Sequence, residues 1–229
     1  MSTENSNRIT GLEICSYALL SMVILIGIVL SFVNEDYFVS VYVVEDGILE
    51  YLTAVLLFII GAVSLRRIVL YRHLQKFMFL CTNGAIVLLM FFGAGEEISW
   101  GQRIFDIEST DYFLAYNRQG ELNLHNMSLN GVNMNALIFG RALTIFLIIY
   151  YLILPSIYRR KQRFRGFADS LYVPIPKIHH GIGILVAGLA IRMIESGKSN
   201  ELKELAIAMF LLLTVVCAQN LSRITEVKS

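Results

Sequence analysis

Charge is scarce in this sequence. Of its 229 residues only 16% are charged, and the formal net charge is +1. The basic excess that draws a protein to nucleic acid is therefore missing, and no nucleic-acid partner is expected. Cysteine is scarce too. Cys15, Cys81 and Cys217 all fall in apolar stretches, which excludes a disulfide framework and reads them as small core hydrophobes. The chain has no internal repeat, low-complexity segment, Gly-rich phosphate loop, nucleophile elbow or redox cysteine pair. Those absences remove P-loop nucleotide chemistry, elbow-type serine hydrolysis and dithiol exchange.

Apolar length is what the chain has in abundance. Hydrophobic residues make up 56% of it and the mean hydropathy is +0.63, more than a soluble domain of this size carries. Runs at 14–33, 47–65, 77–95, 134–157, 178–194 and 202–221 each approach the ~20 residues that cross a ~30 Å hydrocarbon core. The first is followed by Asn34, Glu35, Asp36 and Tyr37 rather than a small-residue cleavage site, so it is read as a membrane helix and not a signal peptide. The fifth is short and holds Gly181, Gly183, Ala187, Gly188 and Ala190, the small residues that close helix packing in a bilayer favours. The expected fold is all-α, a single polytopic transmembrane helical bundle over residues 1–229 with six spans.

Basic residues orient the bundle, because short loops rich in Lys and Arg stay cytoplasmic. Arg66, Arg67, Arg72 and Lys76 follow the second run, and Arg159, Arg160, Lys161, Arg163, Arg165 and Lys177 follow the fourth. The 34–46 connection holds Glu35, Asp36, Glu45 and Asp46 and no base. Both termini are accordingly expected in the cytoplasm, with a cell-membrane location. No ionisable residue is expected deep in the cytoplasmic half of a span.

The outer half differs. Glu50 lies about one turn into the second span, Arg141 about two turns into the fourth, and Glu96 and Glu97 close the third. Charge inside a bilayer costs roughly 2.5 to 3.5 kcal/mol on insertion scales, so Arg141 is expected to pair with Glu50, Glu96 or Glu97. If the third helix continues through Gly93-Ala94-Gly95-Glu96-Glu97-Ile98-Ser99-Trp100-Gly101-Gln102-Arg103, then Glu96, Ser99, Trp100 and Arg103 share one face. A short interfacial helix is expected over 110–116, capped by Ser109 or Thr110.

Two further segments complete the polar set: Glu45-Asp46-Gly47 with Glu50, and Gly120-Glu121-Leu122-Asn123-Leu124-His125-Asn126. Among them Glu50, Glu97 and His125 are the candidate catalytic groups. With Glu96 the same three form a candidate ligand set for a divalent metal. Arg103, Arg141, Trp100 and Gln102 are candidate substrate contacts. Glu45, Asp46, Glu121, Asn123 and Asn126 are expected to support the site. His179 and His180, at the other end of the molecule, are read as bordering the fifth helix.

These three segments together resemble a family of bacterial multi-pass membrane proteins without an assigned activity. The resemblance spans about a third of the chain and implies that the segments form one unit in a bacterial inner membrane. A weaker similarity is to intramembrane glutamate proteases of the CAAX-processing type, which carry paired glutamates followed by arginine. Here Arg103 follows Glu97 by six residues rather than four, and the histidine expected on a later helix is replaced by the loop residue His125.

The expected function is that of a membrane hydrolase or transferase, metal-dependent where the ligand set is filled, acting on a lipid or lipid-linked substrate at the outer face. The alternatives are a non-catalytic assembly subunit that docks a membrane-protein partner or a second copy of itself, and a small transporter.

Overall fold

The computed structural model describes residues 8–72, 76–129, 132–133, 140–194 and 198–225. Four helices are long and apolar enough to cross a membrane: α1 (Gly11–Val33), α2 (Ile48–Tyr71), α3 (Phe77–Glu97) and, after a short α4 (Asp111–Tyr116), α5 (Gly140–Arg160). A nine-residue α6 (Gln162–Ser170) follows, then α7 (Ile178–Ile191), α8 (Asn200–Val216) and α9 (Leu221–Thr225). The only strands among the described residues are β1 (Ser128–Leu129) and β2 (Val132–Asn133), paired antiparallel. Residues 134–139, where the fourth apolar run was expected to begin, lie outside the described residues.

The fifth and sixth runs form shorter helices than the rest. At 1.5 Å per residue, α7 with 14 residues and α8 with 17 reach about 21 and 25 Å. α8 nevertheless sits in the middle. It packs on α1, α2 and α7, and its Leu202, Ala208, Phe210, Leu213 and Val215 are buried on several sides, as expected of a helix surrounded by others. The peripheral helices turn large apolar side chains outward, Leu88 of α3 being 74% exposed and Leu189 of α7 65%. Cys15 and Cys81 are exposed on such faces and only Cys217 is buried, so the reading of all three as core residues holds for one.

Small residues set the closest approaches. α5 widens to a π-turn over Ile149–Ile153, just ahead of Pro155, whose missing N–H breaks the regular helical ladder. Gly181 of α7 presses on this turn so closely that a Cβ there would lie 2.4 Å from the Tyr151 carbonyl oxygen.

The helix ends gather into two polar regions. One contains the starts of α1, α3 and α7 and the ends of α2, α5 and α8, where the Gln219 amide donates to the Ile175 carbonyl, Arg67 Nη2 to the Val215 carbonyl and Thr82 Oγ1 to the Leu171 carbonyl. Since the two basic loops lie there, it is called the basic end. The opposite, acidic end carries the 34–47 and 98–128 connections and the start of α8.

Replacing Gly181 by alanine drives a methyl group into backbone that cannot move aside, whereas a Cβ at Gly188 meets nothing within 4 Å. Thermal unfolding in detergent is expected to show Gly181→Ala destabilised by about 1–3 kcal/mol. Gly188→Ala is expected to be neutral or to gain up to about 1 kcal/mol.

Candidate functional site

At the acidic end α3 stops at Glu97 instead of continuing, because Ser99, Trp100 and Gly101 adopt left-handed backbone with φ of 46°, 55° and 77°. The expected shared face of Glu96, Ser99, Trp100 and Arg103 therefore does not form. Only Gly101 takes such angles freely. Ser99 and Trp100 are held there at a cost of roughly 1–3 kcal/mol each, and their side chains show what holds them. Ser99 Oγ donates to Glu121 Oε2 at 2.6 Å and accepts from Asn123 Nδ2 at 2.9 Å. Trp100 Nε1 donates to Glu96 Oε1 at 2.8 Å.

The same residues bring the three polar segments together. Arg103 forms ion pairs with both Asp46 and Glu121, and the Asp46 amide donates to Glu50 at the start of α2. Gln102 donates to Ser109 Oγ at 2.7 Å and accepts from the Leu122 amide at 2.7 Å. Glu96, buried, accepts from the Leu124 and His125 amides at 2.6 and 3.0 Å besides Trp100. Asn123 Oδ1 accepts from Asn117 Nδ2 and the Asn126 amide, and Asn126 Nδ2 donates to Gln119. Glu96, Gln102, Arg103, Glu121, Asn123 and Asn126 are thus the bracing of a folded loop. Thr110 precedes α4 as expected but makes no side-chain cap.

Beside this brace opens a polar cavity of about 330 Å³ lined by Glu45, Glu50, Arg118, Gln119, His125, Asn126, Asn200, Glu201 and Glu204. His125 Nε2 lies 3.8 Å from Glu204 Oε1. Glu97 belongs to the same field: the charges of Glu50 and Glu201 act on it, and its own charge acts on Glu204. Burial holds the His125 imidazole below its ordinary 6.5, against the pull of the Glu96 charge. Burial, and next the Glu121 charge, raise the Asp46 carboxyl, with Arg103 opposing.

Of the expected catalytic groups, Glu50 and His125 line the cavity and Glu97 adjoins it electrostatically. Trp100 is half exposed and edge-on to Phe92 at 5.6 Å. Arg141 departs from expectation. It is exposed and makes no ion pair among the described residues, so the carboxylate partner it was assigned is not found there; its depth in the fourth run, counted from residue 134, lies outside the described residues.

Glu201 and Glu204 are not among the site residues expected from the sequence, where the sixth apolar run begins at Leu202 between them. Their i, i+3 spacing at the head of an apolar run was the available signal.

A second cluster lies at the basic end, at the mouths of the first and fifth apolar runs. Glu13 accepts from the Thr10 amide and hydroxyl at 2.7 and 2.9 Å, and from Lys177 Nζ at 3.0 Å. Its Oε1 lies 2.7 Å from His180 Nε2 and 3.8 Å from His179 Nε2. Glu13 and His180 are fully buried and Lys177 nearly so. His179 and His180 therefore do more than border a helix. Among the described residues, Glu13, His179 and His180 alone bring three potential ligand atoms within 4.8 Å of one another.

Compared with protein-family models, curated proteins and solved structures, the chain matches none. Fold and site together define a helical protein of membrane type, with four helices of spanning length and a buried glutamate and histidine cluster.

Trp100 is the only tryptophan, so its fluorescence reports on the brace. In Glu96→Ala three N–H donors lose their acceptor, and the expected cost is on the order of 3 kcal/mol. The expected spectrum is an altered Trp100 emission in the native state with α-helix content retained.

Proposed function

We propose that the protein is a hydrolase or transferase of a bacterial inner membrane, acting on a lipid or lipid-linked substrate in the cavity of the acidic end. In this reading all six apolar helices span and both termini are cytoplasmic, so that the acidic end faces outward. The observation that carries it is the placement of His125 Nε2 3.8 Å from Glu204 Oε1 on the wall of an open polar cavity built on apolar helices. A neutral imidazole can take a proton from water or an alcohol, and a glutamate 3.8 Å away offsets, in its ionised form, the charge that develops. Arg118, which lines the cavity, is placed in the role first given to Arg103 and Arg141, that of meeting an anionic headgroup. Glu50, Glu97 and Glu201 gather negative charge that shared protons or a divalent cation offset.

A second reading, a non-catalytic assembly subunit, draws on how many polar side chains brace the loop rather than face the cavity. Copurification of a stoichiometric membrane partner, with no lipid turnover, is its signature.

The test is incubation of the purified protein with a native lipid extract, products followed by mass spectrometry. His125→Ala and Glu204→Gln are each expected to lower turnover by at least about 100-fold with an unchanged melting temperature. With the His125 value held below 6.5, the rate should be level above that pH and fall only on further acidification, as the imidazole takes up a proton. An extract left unaltered by the wild type contradicts the proposal.

A further inference from the structure

The cluster at the basic end is built differently from the loop brace, and it plays no part in the function proposed above. Each of its two imidazoles has Nδ1 at a hydroxyl: His179 Nδ1 is 2.7 Å from the Tyr17 hydroxyl, and His180 Nδ1 is 3.3 Å from Thr214 Oγ1, which in turn bonds the Tyr151 hydroxyl at 3.2 Å. That leaves both Nε2 atoms facing one oxygen, Oε1 of Glu13. A hydrogen bond accounts for His180 at 2.7 Å. It does not account for His179, whose Nε2 is buried without a hydrogen-bond partner.

The carboxylate is divided in the same sense. Oε2 is occupied by the Thr10 amide, the Thr10 hydroxyl and Lys177, and Lys177 Nζ is also anchored by the Arg8 carbonyl at 3.0 Å. Lys177 reaches Oε1 too, at 3.0 Å. With its contacts to Oε2 and Arg8 it keeps its place if Oε1 turns to another cation.

We propose that Glu13 Oε1, His179 Nε2 and His180 Nε2 are the protein ligands of a divalent transition-metal ion at the basic end. Two imidazoles and a carboxylate suit zinc or iron(II) far better than magnesium or calcium. Ligand atoms about 2.1 Å from a tetrahedral ion stand roughly 3.4 Å apart. The 2.7 and 3.8 Å separations to Oε1 bracket that value. Tyr17 and Thr214 are the positioning residues, which fix each ring's orientation through Nδ1 as the outer partners of metal-bound histidines do.

The experiment is a titration of the chelator-stripped, detergent-purified full chain with cobalt(II) alone, followed by its visible ligand-field absorption. About one equivalent is expected to give the intense bands of a low-symmetry site with nitrogen and oxygen donors. His179→Ala should weaken binding by more than about 100-fold, and Tyr17→Phe by roughly 10- to 100-fold. Glu204→Gln, at the opposite end, should leave the titration unchanged. His179 and Tyr17 are partly exposed, so these variants decide the matter even if His180→Ala does not fold. Failure of the wild type to take up cobalt, equal uptake by His179→Ala, or loss of the bands in Glu204→Gln instead would each overturn the assignment. None of those results bears on lipid turnover at the acidic end.

Discussion

Hydrocarbon offers no partner to a peptide group or an ionised side chain, and the arrangement of this molecule follows from that penalty. Among the described residues, the charged and histidine side chains gather at the two ends of the long helices. α8 connects these regions. Glu201 and Glu204 stand at one end of it and Thr214, beside His180, at the other, with Leu202, Phe210 and Leu213 buried among them. From Glu204 to Thr214 the helix rises only about 15 Å, half the ~30 Å of a hydrocarbon core. If α8 spans, as proposed, both clusters reach below the headgroups, and the bilayer thins around the short α7 and α8 or water enters from the polar cavity.

The two clusters meet the penalty in different ways. At the acidic end most side chains answer one another inside the loop. Strained backbone at Ser99 and Trp100 is offset by hydrogen bonds to Glu121, Asn123 and Glu96, which leaves His125, Glu204 and Glu50 on the cavity wall. Within the cluster at the basic end Glu13 is matched by Lys177 and His180, while Nε2 of His179 is buried without a hydrogen bond. A buried nitrogen left without a hydrogen bond beside two paired ligand groups calls for an explanation.

Much of this was legible from the sequence, and the rest was hidden for identifiable reasons. Apolar runs located the four long helices, because hydropathy over ~20 residues is a strong signal, although the second extends six residues past its run to Tyr71 and the start of the fourth run lies outside the described residues. The three polar segments do come together, through Arg103, Gln102 and Glu96. The break after Glu97 was not legible, since nothing in Ile98-Ser99-Trp100 announces left-handed backbone, and only Gly101 hinted at it. Glu13 and His180 are more than 160 residues apart in sequence, so their meeting depends on how α1 and α7 pack rather than on any local spacing. Arg141 was given a carboxylate partner because it was placed two turns inside a span, whereas in the structure its side chain is exposed and makes no ion pair among the described residues.

The claim on which the account rests is that the acidic and basic ends lie on opposite faces of a bilayer. It is tested most directly in intact cells by labelling with a membrane-impermeant maleimide, using chains in which Cys15, Cys81 and Cys217 are replaced by alanine. Glu108→Cys reports on the acidic end and Gln162→Cys on the basic end, both native side chains being exposed. The account expects Glu108→Cys to react from outside and Gln162→Cys to react only after the membrane is permeabilised. Equal reaction of the two before permeabilisation, or the reverse order, would contradict it.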